Sequence, residues 1–191
     1  MATPTGPRGP SEARARLIRA ASELFYAEGI TSVGVDRLIA AAGVTRVTFY
    51  RHFPSKEDLV LAYLQGEDEA IQGAFAAAAE SGAEPRALVG LVIQALADDI
   101  EQQHTRGCPF INAAAEYPDA SSPIRVKIAD HREWFRSTLE KVITAADLPE
   151  PEEKARALVL LRDAAMVGGY LDGAAAIRPT FERTARGVLS L

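Results

Sequence analysis

The chain reads as all-α, with about nine helices: three short ones at the N-terminus and a longer helical bundle after them. Three observations carry this. Alanine is abundant and β-branched runs are few, which favours helix over strand. Apolar residues recur at i, i+3, i+4 and i+7 through most of the chain. Glycine, proline and hydroxyl residues fall between these periodic stretches, where helices start and stop.

The elements follow in order. Residues 1–10 hold three prolines and two glycines and read as a disordered arm, with Arg8 its only charge. Ser11 is placed to cap a first helix that runs to about Glu28, with Leu17, Ala21, Leu24 and Phe25 inward and Gly29 at its end. A second helix spans about Val35 to Ala41 behind Gly34. Gly43 supplies the positive φ of a tight turn, and a third helix runs from about Thr45 to Arg51. Ser55 and Asp58 then form a shortened capping box for a long fourth helix, about Lys56 to Ala79.

Pro85 opens a fifth helix reaching about His104, and Gly107-Cys108-Pro109 breaks it and starts a sixth to about Glu116. The seventh covers Ile124 to Ala145. The eighth, about Glu152 to Ala176, is rich in small residues, and Pro179 is expected to open a ninth that ends at Leu191. The implied organisation is an arm (1–10), a helix-turn-helix domain (11–56) and a ligand-binding and dimerisation domain (57–191).

Charge separates these parts. The whole chain carries a formal charge of −5, yet residues 1–56 hold eight Arg/Lys against four Asp/Glu, and the remainder holds 13 against 22. A basic head on an acidic body fits a protein that touches nucleic acid with one end. No stretch approaches the roughly 18 apolar residues of a membrane span, and the N-terminus lacks a signal-peptide layout. One cysteine excludes an internal disulfide framework and fits a reducing cytoplasm. Three scattered histidines and the single cysteine make no spaced nucleophile–base pair, metal-ligand cluster or phosphate loop. An enzyme, a metal site and a cofactor are therefore not expected.

The segment from about Leu17 to Leu59 carries Ala20-Ala21-x-x-Leu24-Phe25-x-x-x-Gly29, then Leu38-Ile39-x-x-Ala42-Gly43-Val44, then Thr48-Phe49-Tyr50-x-His52-Phe53-x-Ser55-Lys56. It resembles the DNA-binding head of the TetR family of bacterial transcriptional regulators. The chain departs from that pattern at Gly34, where a Ser or Thr is usual, and at Ile39, where alanine is usual. The resemblance implies a phosphate-contacting role for Tyr50, with His52 and Lys56 also holding the DNA backbone.

Read from the residues, base contacts fall to the start of the third helix. Thr45 and Arg46 face outward there, and Arg46 can bridge guanine O6 and N7. Val47 and Thr48 offer methyl groups to thymine, and Arg51 either reads a base or holds phosphate. One short helix reads few base pairs, so a homodimer on a near-palindromic double-stranded operator is expected. Leu158, Leu161, Ala165, Gly168, Gly169, Phe181 and Leu189 in the last two helices are the interface candidates, although the same residues could bury within the chain.

The resemblance further implies a small-molecule effector in the C-terminal bundle that releases DNA, and hence a repressor. Ile100, Cys108, Phe110, Asn112, Glu116, Trp134, Phe135, Met166 and Tyr170 are candidates for its pocket, with His131 and Arg125 as further orienting groups; plain core is the competing reading for the aromatic ones. Cys108, beside Arg106 and near His104 at a helix start, is an alternative redox or electrophile sensor.

Overall fold

A computed structural model describes residues 11–191, and the arm expected over 1–10 lies outside the described residues. Among the described residues nine α-helices follow one another: α1 (Glu12–Glu28), α2 (Val35–Ala42), α3 (Arg46–His52), α4 (Lys56–Glu80), α5 (Pro85–Asp98), α6 (Pro109–Glu116), α7 (Pro123–Ala145), α8 (Pro151–Gly168) and α9 (Ala174–Leu189). Short π-helical turns extend α5 over Asp99–Gln103 and α8 over Gly169–Gly173. The all-α expectation holds, and no strand occurs among the described residues.

The chain divides into two compact units, the first running to Gly66 and the second from Glu67 to Leu191. The division falls inside α4 rather than at residue 56. The first turns of α4 belong with the N-terminal helices: Leu59, Val60, Tyr63 and Leu64 are buried, and the Tyr63 ring meets Phe25 edge-on at 5.8 Å.

In the first unit, Leu17, Ala21, Phe25, Val33, Leu38 and Phe49 make the core. Gly43 adopts φ 60° and ψ 43°, a left-handed turn that a side chain would strain, and it sets α3 off from α2. The capping box at the start of α4 is complete. The Ser55 N–H donates to Asp58 Oδ2 at 2.8 Å, and the Asp58 N–H donates to Ser55 Oγ at 3.1 Å. The Ser11 side chain makes no cap bond to α1; its hydroxyl instead lies 3.2 Å from His52 Nε2, at the far end of α3.

In the second unit, α8 packs on both α7 and α9. Two boundaries differ from the sequence reading. The fifth helix closes as a π-turn before His104. The turn between α8 and α9 comes at Gly173, whose φ of 95° favours glycine, and Pro179 lies inside α9. Pro179 removes only a bond to the Ala175 carbonyl, and Ala175 is exposed to water. Gly169 lets the end of α8 close on the first π-turn, since a Cβ there would sit 3.0 Å from Ile100 Cγ2.

Candidate functional site

The third helix has a buried side and an open side. Phe49 and, just past the helix, Phe53 point into the first unit. Arg46, Val47, Tyr50 and Arg51 are exposed and share the opposite face at helical spacing. Val47 is 78% exposed, a poor place for an apolar side chain unless something covers it. The Tyr50 ring packs edge-on against Phe49 at 5.1 Å, which holds it while half of it stays in water. Thr45 caps the helix by accepting the Thr48 N–H at 3.1 Å, so its hydroxyl is spent partly on the fold.

Arg46 is held by an ion pair with Asp36 of α2, a partner with no signature in the local pattern of α3. The Lys56 ammonium lies 5.9 Å from the centre of the Phe25 ring. The candidates Thr45, Arg46, Val47, Thr48, Tyr50, Arg51, His52 and Lys56 thus lie on α3 or within a few residues of its ends, and only Thr48, His52 and Lys56 among them are partly covered.

In the second unit the effector candidates do not line one cavity. Ile100, Cys108, Phe110, Phe135 and Met166 are buried. Asn112 is exposed and donates to the Arg106 carbonyl at 3.1 Å. Glu116 and Trp134 are half-buried. Tyr170 is 52% exposed beneath the Arg106 guanidinium, 5.8 Å from its ring centre. A groove of about 300 Å³ does lie between α6 and α7, lined by Phe110, Ile111, Ala114, Arg125, Ile128, Ala129 and Arg132. Of the residues expected at the pocket, Phe110 and the orienting Arg125 line that groove.

Beneath Phe110 is a polar core that no local pattern announces. Its ring stacks on the His131 imidazole, 3.7 Å between centres and 3° from parallel. His131 Nδ1 lies 2.8 Å from Asp68 Oδ1, and Lys127 Nζ lies 2.5 Å from Asp68 Oδ2. Burial, and then the charges of Arg162 and Lys127, push the His131 pKa down despite its bond to Asp68. The imidazole is therefore neutral near pH 7, with its Nδ1–H donating to the carboxylate. Burial acts against the Asp68 charge too, but its bonds to His131 and Lys127 outweigh it and lower the pKa.

A second cluster surrounds the π-turn after α5. His104 Nδ1 is 2.6 Å from Asp99 and its Nε2 is 3.3 Å from Glu67. Burial works against charging this ring, but the two carboxylates override it and raise its pKa from 6.5 to about 9. Nearby, Arg162 Nη1 donates to Cys108 Sγ at 3.1 Å. Burial disfavours the Arg162 charge, yet Cys108, Asp99 and Asp163 together hold its pKa above the usual value.

The interface candidates divide by burial. Leu158, Ala165, Gly169, Phe181 and Leu189 face the chain's own core, and Leu161 and Gly168 are half-buried. The apolar surface of α8 and its π-turn is carried instead by Leu160, Val167 and Leu171, with Leu171 70% exposed. An α8 that is apolar on two sides does not reveal from sequence which side is inner.

Residues 17–63 match the family described as bacterial regulatory proteins, tetR family, and residues 85–156 match a tetracyclin repressor-like C-terminal domain. Over 94% of this chain and 95% of the other, the structure superposes on SCO4454, a TetR-family transcriptional regulator from Streptomyces coelicolor, with 43% identity and a TM-score of 0.89. The chain belongs to the TetR family. It carries the DNA-binding helix-turn-helix of that family, and the relatives are transcriptional regulators rather than enzymes.

The HTH-type transcriptional regulator TcmR of Streptomyces glaucescens is 40% identical over 77 residues, 38% of this chain and 34% of TcmR. The HTH-type transcriptional repressor KstR2 of Rhodococcus jostii is 29% identical over 131 residues, 69% of this chain and 59% of KstR2. The chain spans about a third of the length of the first curated relatives it matches. No helix among the described residues is long and apolar enough to cross a membrane.

Proposed function

We propose that this TetR-family regulator is a homodimeric repressor that binds a near-palindromic operator and releases it when a small molecule enters the second unit. The observation that carries the reading is α4. This helix begins at Lys56, beside the reading helix, and about 18 Å further along offers Glu67 to His104 and Asp68 to His131 and Lys127. A displacement of α5, its π-turn or α7 by a ligand is therefore felt by a helix that also carries a DNA-contact residue. Among the relatives FasR is named an activator and KstR2 a repressor; the choice of repression rests on the match of residues 85–156 to a tetracyclin repressor-like C-terminal domain.

Dimerisation is supported by the exposed Leu160, Val167 and Leu171 stripe. Across it, α9 presents Ala176, Thr180, Thr184 and Gly187, small exposed residues at helical spacing that permit close approach of a partner helix. The test is selection of bound duplexes from a random pool, then affinity against salt for the winner. The reading expects a near-palindrome, a steep salt slope and uniform weakening by Tyr50→Phe and Lys56→Ala. A folded dimer that enriches nothing defeats it.

A thiol sensor acting through Cys108 is the second reading, favoured by the Arg162 guanidinium 3.1 Å from the sulfur. Cys108 is only 2% exposed, so a reagent reaches it on local opening. If Cys108→Ser leaves release by hydrogen peroxide or N-ethylmaleimide unchanged, this reading fails.

A further inference from the structure

The α6–α7 groove has an electrostatic direction. Arg125 and Arg132 stand seven residues apart on α7, so they occupy its two ends, about 10 Å apart along the axis. Arg132 is paired with Asp163 at 2.8 Å, a carboxylate that also lies 3.5 Å from Arg162. Arg125 makes no ion pair among the described residues; its Nη1 donates to the Tyr117 carbonyl at 3.0 Å, which leaves the charge in place. The nearby Asp119 feels that charge but spends its carboxylate on the Ser121 N–H and hydroxyl, at 2.9 and 2.7 Å. Arg125 also lies in the first turn of α7, where the helix dipole favours an anion and disfavours a cation. Between the two ends the walls are apolar: Phe110, Ile111, Ala114, Ile128 and Ala129.

Resting on the effector reading above, we infer that the groove takes a small amphipathic carboxylate, its anion on Arg125 and its apolar body along Phe110 and Ile128. A guanidinium fork matches a carboxylate in two parallel bonds. The volume sits at the lower end of ligand pockets, so a bicyclic aryl acid is a suitable size. At the other end Arg132 already has a carboxylate partner in Asp163, whereas Arg125 has none among the described residues, and so the ligand is oriented with its acid toward Arg125.

The test is calorimetric titration of the full-length protein with 2-naphthoate, 2-naphthalenemethanol and 2-naphthylmethylamine. Naphthoate is expected to bind, the alcohol more weakly and the amine not at all. Arg125→Gln should weaken naphthoate about tenfold or more, and Arg125→Lys should recover part of the loss. Because Arg125→Gln also alters the Tyr117 contact, Ala129→Phe supplies a second check: this exposed position tolerates the ring, which fills the groove and should abolish binding. Absent naphthoate binding, equal binding of the alcohol or amine, or indifference to both Arg125→Gln and Ala129→Phe, overturns the assignment. Naphthoate binding that depends on Arg125 but leaves affinity for the selected operator unchanged upholds the ligand class and overturns the effector reading instead.

Discussion

Raising the pH should unpin α4 through His104. Its pKa is raised from 6.5 to about 9 because Asp99 and Glu67 both accept from the ring, against the opposing effect of burial. A basic group whose folded pKa exceeds its unfolded one stabilises the fold fully below pH 6.5 and loses that contribution as pH rises through 9. At about 1.4 kcal/mol per pH unit, the displacement is worth about 3 kcal/mol. That is a large part of the stability of a typical domain.

The assay is urea unfolding followed by the single tryptophan, Trp134, which lies in the second unit, at pH 6, 7.5, 9 and 10. Wild type should exceed His104→Gln by about 3 kcal/mol at pH 6 and by little at pH 10, because only the wild type has a proton to lose. Taking the difference between the two proteins removes the titration of tyrosines and lysines. NMR gives the pKa directly, since the chain has only three histidines. A His104 that titrates at or below 6.5, or a difference between the proteins that does not change with pH, refutes the reasoning.

Four further outcomes are expected. Asp36→Ala should tighten operator binding a few-fold and steepen the slope of log affinity against log salt by up to about 1, since it frees Arg46 and removes an anion beside the reading helix; a filter-binding series over salt checks this, and unchanged affinity would mean that Arg46 makes no contact with DNA. Gly169→Ala should destabilise the second unit by about 1–3 kcal/mol in urea unfolding, because its Cβ would press on Ile100, which is 2% exposed and has no room to yield. Gly168→Ala should be neutral or stabilising, because its Cβ meets the flexible end of half-buried Ile177 at 3.2 Å and alanine favours helix. Leu171→Glu should yield monomers in sedimentation with the fold intact, since the residue is 70% exposed, whereas a dimer of unchanged affinity would place the interface elsewhere.

Much of the head was legible because its determinants are local. Gly43 at φ 60° and the Ser55–Asp58 box act within a few residues and can be read from the string. The second unit is different. Asp68 and His131 are 63 residues apart, Glu67 and His104 are 37 apart, and Cys108 and Arg162 are 54 apart. Each of these carboxylates or cations looks like a solvated charge on an amphipathic helix until the helices are packed. The π-turns leave no periodic trace either: one extra residue per turn shifts the apolar phase only after Asp98 and after Gly168, where the reading had continued a straight helix. Pro179 misled for a physical reason. Proline more often opens a helix than interrupts one, but here Gly173 had already made the turn.

The two histidines of the second unit grip consecutive residues of α4 in opposite charge states. Glu67 and Asp68 are about 100° apart around the helix, so they leave α4 in different directions. His104, charged near neutral pH, takes Glu67 toward the π-turn after α5; neutral His131 takes Asp68 toward α7. Two handles on different sides of a helix fix its rotation as well as its position, which a single contact cannot. The handles also answer to different inputs. The His104 grip is ionic and weakens as the proton leaves. The His131 grip is a neutral hydrogen bond whose imidazole is stacked face to face on Phe110, so it answers to where that ring lies. Phe110 lines the α6–α7 groove. A ligand that shifts this ring has only to cross one stacked contact and one hydrogen bond to reach α4, and α4 begins at Lys56.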